Sequence, residues 1–377
     1  MRALFLVLLA GCAGPGLEEH VAFLAGEACL GRETGTAGER KAADYIEAAF
    51  RKAGLEVRVQ TFQGHGTTGR NVIGIARGTS EEAVVIGAHY DHLGEAKGGW
   101  HAGADDNASG TAVLLALARS FAHRPAGRTV ILAAFSGEEM GILGSRAYTR
   151  EPVVLLDRTV AMINMDMVGR LRESLIVFGA DSGDRFKEYL ADSPVKIAHN
   201  RDPVGPSDHT SFYLKGVPAV HLFTGAHADY HKPSDTAEKV NYDGLRRVAA
   251  LVETLARRIA DAPQRMKFVK VEGAAPLPGG PRKGATPYLG LLPDYGHDGP
   301  GVKLAGVTPG SPADKAGFRE DDVILQVDGR DCADVKAYSA EFFKMRPGDE
   351  IALTYERAGK RDTLKVKLAA KEARSDE

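Results

Sequence analysis

Five side chains along this chain have the chemistry to hold metal: His89, Asp106, Glu139, Asp166 and His231, with Glu138 beside Glu139. Each sits where an apolar run stops and a polar or glycine-rich turn begins. Two imidazoles and three carboxylates suit a pair of divalent cations, and a free carboxylate beside such a pair suits hydrolysis. Ions of a two-metal site lie roughly 3.5–4 Å apart, so one short Asp can span them. Three ligating carboxylates against two divalent cations leave a single positive charge.

Taken one at a time, the motifs are bland. His89-Tyr90-Asp91 reads equally as a turn histidine beside a solvated acid. A carboxylate can, however, fix a ligating imidazole from behind. Asp105-Asp106 before a helix start can act as caps. Glu138-Glu139 can be a solvated turn. As a working pair, Glu139 would ligate while Glu138 takes a proton and later returns it. Asp166 interrupts an apolar stretch, where a carboxylate needs a partner or a metal. His231 alone reads as a surface histidine. His92, His101, His227 and Asp105 lie nearby and receive no ligand role.

Placement makes the set one site. Ala83–Ala88, Thr129–Phe135 and Thr159–Met165 are continuous apolar runs, as in strands buried on both faces. His89, Glu138 and Asp166 follow closely on these three runs, and ligands of open α/β sheets collect at strand carboxyl ends. Helices are expected after the capping box Thr36-Ala37-Gly38-Glu39, ending near Gly54, over Ser109–Ala122 and over Tyr242–Ala260. Leu55–Phe62, Asn71–Ala76, Leu175–Phe178 and Ala219–Phe223 read as further strands. Strands alternating with helices predict a three-layer α/β domain.

In order, His89-x-Asp91, Gly-Ala-Asp-Asp106-Asn-Ala-Ser-Gly, Gly-Glu138-Glu139, Asn-Met-Asp166-Met and Tyr230-His231-Lys-Pro-Ser-Asp-Thr closely resemble the di-zinc aminopeptidases of metallopeptidase family twenty-eight, of the aminopeptidase S and aminopeptidase Y type. The resemblance spans roughly Leu17 to Asp261. It implies a zinc-exopeptidase-like mixed sheet with helices on both faces, and two Zn2+ per chain. One zinc would take His89 and Asp166, the other Glu139 and His231, with Asp106 bridging. Asp91 would orient His89, Glu138 would be general base and then acid, and Tyr230 would stabilise the oxyanion. Anchoring of a free α-amine by the metals would confine cleavage to the N-terminal residue of a peptide. A glutaminyl cyclase-like enzyme and a non-catalytic peptide-binding receptor are the alternatives. Ser207-Asp208-His209 is not read as a triad, because consecutive residues cannot easily assemble that relay.

Beyond a Gly-, Pro- and Ala-rich stretch at Gly273–Ala285, Tyr288-Leu289-Gly290-Leu291, Val307 to Ala313, Ala316-Gly317 and Val327-Asp328-Gly329 resemble a PDZ domain. That implies a small β-rich module taking a peptide or protein C-terminus by strand addition. A module that only packs against the first domain is the alternative. Strands are expected at Tyr288–Leu291, Val302–Val307, Val323–Val327, Glu350–Glu356 and Thr363–Leu368. Arg2, the apolar run Ala3–Ala10 and Gly11-Cys12 have the form of a signal segment and resemble a bacterial lipobox. Lipidation at Cys12, a plain secretory signal and a buried apolar N-terminus all remain open; the first two make the protein an extracytoplasmic one, of the cell envelope or secreted. The expected divisions are a leader at 1–16, a peptidase domain at 17–265, a linker at 266–284, a PDZ domain at 285–370 and a charged tail at 371–377. Cys29 and Cys332 are expected to be unpaired. A net charge of -2 over 377 residues offers nothing to nucleic acid and leaves the membrane to an anchor alone.

Overall fold

Three apolar runs become the adjacent central strands of an eight-stranded sheet. The structure, a computed structural model, describes residues 15–64, 66–271, 286–293, 297, 299–308, 310–342 and 344–371. The leader with Cys12, the Gly273–Ala285 stretch and the tail beyond Lys371 lie outside them. The strands of the first unit are β1 (Glu56–Gly64), β2 (Thr67–Ala76), β3 (Ser80–His89), the short hairpin β4 (Glu95–Ala96) and β5 (Gly99–Trp100), β6 (Arg128–Phe135), β7 (Thr159–Met165), β8 (Leu175–Phe178), β9 (Ile197–Asn200) and β10 (Ala219–Phe223). Its helices are α1 (Leu17–Ala25), α2 (Ala37–Ala53), α3 (Gly110–His123), α4 (Leu143–Arg150), α5 (Phe186–Leu190), α6 (His209–Tyr213) and α7 (Tyr242–Ala260).

The sheet order is β1-β2-β6-β3-β7-β10-β8-β9. β3 runs parallel to both β6 and β7, and β10 runs parallel to β7. β2 against β6 and β8 against β10 are antiparallel, so the sheet is mixed. Side chains alternate across it. Val84, Ile86, Leu132, Ala134 and Ile163 join one core with α1, α2, α3 and α7. On the opposite face Phe135 packs edge-on to Tyr148 of α4 and tilted against Phe212 of α6. This is the expected three-layer arrangement.

Local signals set the helix ends. Thr36 caps α2 by accepting from the Glu39 N–H, and Gly54 closes it in the left-handed conformation. Asn241 caps α7, whose Leu245, Val248, Val252, Leu255 and Ile259 are buried. Cys29 and Cys332 are free and buried. Among the described residues no helix is long and apolar enough to cross a membrane.

The chain divides into two compact units, Met1–Thr224 with His231–Ala274, and Gly225–Tyr230 with Ala275–Glu377. The second holds β11 (Thr286–Tyr288), β12 (Leu291–Pro293), β13 (Val302–Val307), α8 (Pro312–Ala316), β14 (Val323–Val327), β15 (Arg330–Asp331), α9 (Val335–Phe342), β16 (Glu350–Arg357), β17 (Lys360–Lys367) and β18 (Ala369–Lys371). Leu289, Leu304, Phe318, Ile324, Leu353 and Val366 centre its own core. The strand expected at Tyr288–Leu291 is split. Gly290 is left-handed there, and the carbonyls of Leu289 and Gly290 accept from Ala313 and Thr308.

Candidate metal centre

Because β6, β3 and β7 are neighbours, their carboxyl ends bring three motifs to one place. His89 is the last residue of β3, Glu138 and Glu139 follow β6 by a short turn, and Asp166 is the first residue after β7. Asp106 arrives on the irregular turn Ala104–Ser109 that leads into α3, and its own φ/ψ leave the helical range. Gly103 starts this turn at φ +56, and a Cβ there would lie 2.3 Å from the Asp106 carbonyl oxygen. Gly137, at φ +71, lets the chain turn from β6 to the two glutamates.

Two groups of ligand atoms converge, each with its members within 4.8 Å of one another: His89, Asp106 and Asp166, and His92, Asp106 and Glu139. His89 Nε2 lies 3.2 Å from Asp166 Oδ1 and 3.4 Å from Asp106 Oδ1. His231 Nε2 lies 3.2 Å from Asp106 Oδ2 and 3.1 Å from Glu139 Oε2. Asp106 therefore offers one oxygen to each histidine. Its Oδ2 is buried and makes no hydrogen bond, the state of an acceptor shaped for a cation. The donor set of two histidines and three carboxylates fits a pair of zinc ions in kind and number.

The electrostatics follow from this crowding. Burial alone would depress His89, but Asp166 and Glu138 raise its pKa well above the ordinary imidazole value. For His231, burial is likewise outweighed by Glu139 and Asp106, and the pKa rises to about 10. Burial and Asp106 push Glu139 up, yet His231 and His92 bring it down to about 2. Asp106, despite burial, is held well below the carboxylate range by His92, His231 and His89. Glu138 goes the other way. Burial, then the carboxylates of Asp166, Glu139 and Asp208, raise it well above its usual value against the pull of His89.

Neighbours fix the ligands. Ser207 Oγ donates to Asp166 Oδ2 at 2.8 Å and accepts from Asn164 Nδ2 at 2.8 Å. Asp235 accepts the N–H groups of Asp105 and Asp106 and pairs with Arg170 at 2.8 Å. Arg32, fully buried, donates to the carbonyls of Leu24, Ala102, Gly103 and Asp106. Asp105 is structural, accepting from Ser109 Oγ and from the Gly169 N–H.

Asp91 meets both His89 and the turn of the two glutamates. The His89 Nδ1 atom lies 3.2 Å from the Asp91 backbone carbonyl and 3.7 Å from its carboxylate. That carboxylate also accepts the N–H groups of Glu138 and Glu139 and the Thr34 hydroxyl. It ties the turn carrying both glutamates to the end of β3. Tyr230 is 37% exposed, in the segment Gly225–Tyr230 that groups with the second unit.

Ser207, Asp208 and His209 form no relay. Ser207 serves Asp166, and the His209 ring stacks on His221 with centroids 4.7 Å apart. Burial, with Asp91 and Asp166 adding to it, pushes Asp208 up to about 7 against His89 and Ser145. His92, given no ligand role from the sequence, stands in contact with a candidate ligand, its Nδ1 2.8 Å from Glu139 Oε1. Its only signal in sequence is a second histidine three residues after His89.

A model described as Peptidase family M28 matches residues 71–256, and one described as a PDZ domain matches residues 270–368. Leupeptin-inactivating enzyme 1 of Streptomyces exfoliatus is 32% identical over 214 residues, 55% of this chain and 47% of that protein. The chain spans about half the length of the curated relatives it matches. Among solved structures, BSAP, a zinc aminopeptidase from Bacillus subtilis, superposes with a TM-score of 0.59 at 19% identity, over 65% of this chain and 94% of its own. Porphyromonas gingivalis glutaminyl cyclase superposes at 0.56 with 20% identity, over 64% of this chain and 96% of its own. The shared fold, the two groups of ligands and the matched models agree: the chain carries a Peptidase family M28 domain followed by a PDZ domain.

Proposed function

We propose that this protein is a two-zinc aminopeptidase that removes N-terminal residues from peptides. The observation that carries this reading is the Asp106 carboxylate, with Oδ1 toward His89 and Oδ2 toward His231. His89 and Asp166 would hold one zinc, Glu139 and His231 the other, and Asp106 both. Zinc bound there would supply Lewis-acid polarisation of a carbonyl and acidification of water.

The chain's own residues do the rest. Glu138 is left free of the ligand groups, and its backbone is pinned by Asp91. A carboxyl biased by burial and like charge toward keeping a proton suits accepting one from water and delivering it to the leaving amine. Ser207 holds Asp166 through its second oxygen. In this reading the PDZ domain receives a peptide or protein C-terminus. Lipidation at Cys12 or secretion would place the activity outside the cytoplasm.

The experiment is an assay of aminoacyl amides and short peptides with free and blocked N-termini, with zinc and with chelator. Chelation abolishes hydrolysis and zinc restores it. Glu138→Gln keeps its zinc and loses turnover by roughly 10²–10⁴-fold, the usual contribution of a general base. Unchanged turnover in that variant refutes the role of Glu138. Cleavage of blocked peptides as fast as free ones refutes exopeptidase action. A cyclase-like enzyme shares the fold, but a glutaminyl substrate cyclised with one zinc per chain would be its mark. Peptide binding with no hydrolysis by the zinc-loaded protein would leave a receptor.

A further inference from the structure

Glu139 has two oxygens with two different partners. Oε2 faces His231 Nε2 at 3.1 Å, in the space shared with Asp106 Oδ2. Oε1 faces His92 Nδ1 at 2.8 Å. The ring of His92 is fully buried, and its other nitrogen, Nε2, has no hydrogen-bond partner among the described residues. Of the two neutral tautomers, one fits these neighbours better. A proton on Nε2 would leave a buried donor without an acceptor and turn the Nδ1 lone pair onto a carboxylate oxygen. The proton therefore belongs on Nδ1, donated to Glu139.

The ring is held in place independently of any metal. The His92 N–H donates to the Arg32 carbonyl at 3.2 Å. A Cβ at Gly103 would lie 2.5 Å from His92 Cδ2, so only glycine there leaves room for the ring. The preceding residue, Asp91, already accepts the Glu139 N–H. Consecutive residues at the end of β3 thus grip the main chain and the side chain of the same glutamate.

We propose that His92 is a positioning residue. It commits Glu139 Oε1 to a hydrogen bond, so that Glu139 presents Oε2 alone to the point it shares with Asp106 and His231. The inference rests on the two-zinc reading of the site. Direct ligation by His92 Nδ1, which its closeness to Asp106 and Glu139 also allows, is the rival.

The test compares full-length wild type with His92→Asn and His92→Phe. Asparagine places an N–H close to the Nδ1 position, and phenylalanine fills the ring's space without a donor. Zinc content at saturation, competition with a chromophoric chelator and the visible spectrum of the cobalt-loaded protein are read for each. All three proteins should take two zinc ions at saturation. The site of Glu139 and His231 should loosen by roughly 10–100-fold in the Phe variant, as for other lost ligand supports, and return to within a few-fold in the Asn variant. Its cobalt spectrum should shift in the Phe variant alone. Melting of the zinc-free proteins separates this from misfolding, and the Asn variant decides the matter if the Phe variant fails to fold. A saturating count of one zinc in both variants makes His92 a ligand and overturns the proposal. Wild-type affinity in the Phe variant, or equal weakening in both, also overturns it. A wild-type count of one refutes the two-zinc reading instead, and the Asn-against-Phe difference at that single ion still decides the role of His92.

Discussion

Arg32 brings a positive charge into the interior beneath the acidic cluster. Its fork reaches four carbonyls on two segments, among them those of Gly103 and Asp106 at 2.6 and 3.2 Å. It therefore joins the N-terminal segment to the turn that presents the shared carboxylate. Arg32→Met should destabilise the zinc-free protein by about 3–5 kcal/mol, because four buried acceptors lose a charged donor. Arg32→Lys should recover little of this, since an ammonium cannot span the same acceptors. Denaturant unfolding with chelator present measures both, and a Met variant as stable as wild type would remove the brace from this account. At this scale the convergence of the five candidate ligands was legible because acids and histidines at the ends of apolar runs have few bland uses in combination. Their supports were not. Thr34, Ser207 and Asp235 matter through contacts made across 57, 41 and 129 residues of sequence, which no spacing announces. His92 differs from an ordinary turn histidine only by what its Nδ1 meets.

Elements differ in how plainly their sequences announce them. β3, β6 and β7 were legible because uninterrupted apolar runs have nowhere to go but the middle of a covered sheet. α1 was not foreseen: it is nine residues long, with Leu17, Val21 and Leu24 buried on one side. Such a length is marginal without tertiary packing. α4 starts after Ile142 in the left-handed conformation with no side-chain cap, so nothing local marks its beginning. α1 also carries a pH dependence. His20 is buried on it beside the Tyr45 hydroxyl at 2.8 Å, and burial, helped by Arg119, lowers its pKa to about 4. The folded state favours the neutral ring, so the contribution of His20 is intact above about pH 6.5. It is lost as pH falls from there through about 4, up to about 3 kcal/mol. His20→Leu should flatten the stability curve over that window, and equal slopes for the two proteins in unfolding titrations would show that His20 is not its source.

Among the described residues each unit has buried packing of its own, around Val84, Leu132 and Ile163 in the first and around Leu304 and Leu353 in the second. Calorimetry should therefore resolve two heat-absorption peaks. Zinc should raise the one belonging to the unit that holds His89, Asp106, Glu139, Asp166 and His231, by mass action on its folded form. Leu353→Ala, in the other core, should lower the second peak, at a cost of roughly 2–5 kcal/mol. One peak moved equally by both treatments would mean the two cores melt together. The sheet of the first unit also has two ends. It stops at β1, where Glu56 and Arg58 stand exposed and Arg77 pairs with Glu56 at 2.7 Å, and at β9, bounded by Lys196 and Arg201. An outermost strand is a template on which another chain can align and extend the ladder. Here a copy laid alongside would have to strip water from these charges, which works against growth of this sheet into a fibre at either end.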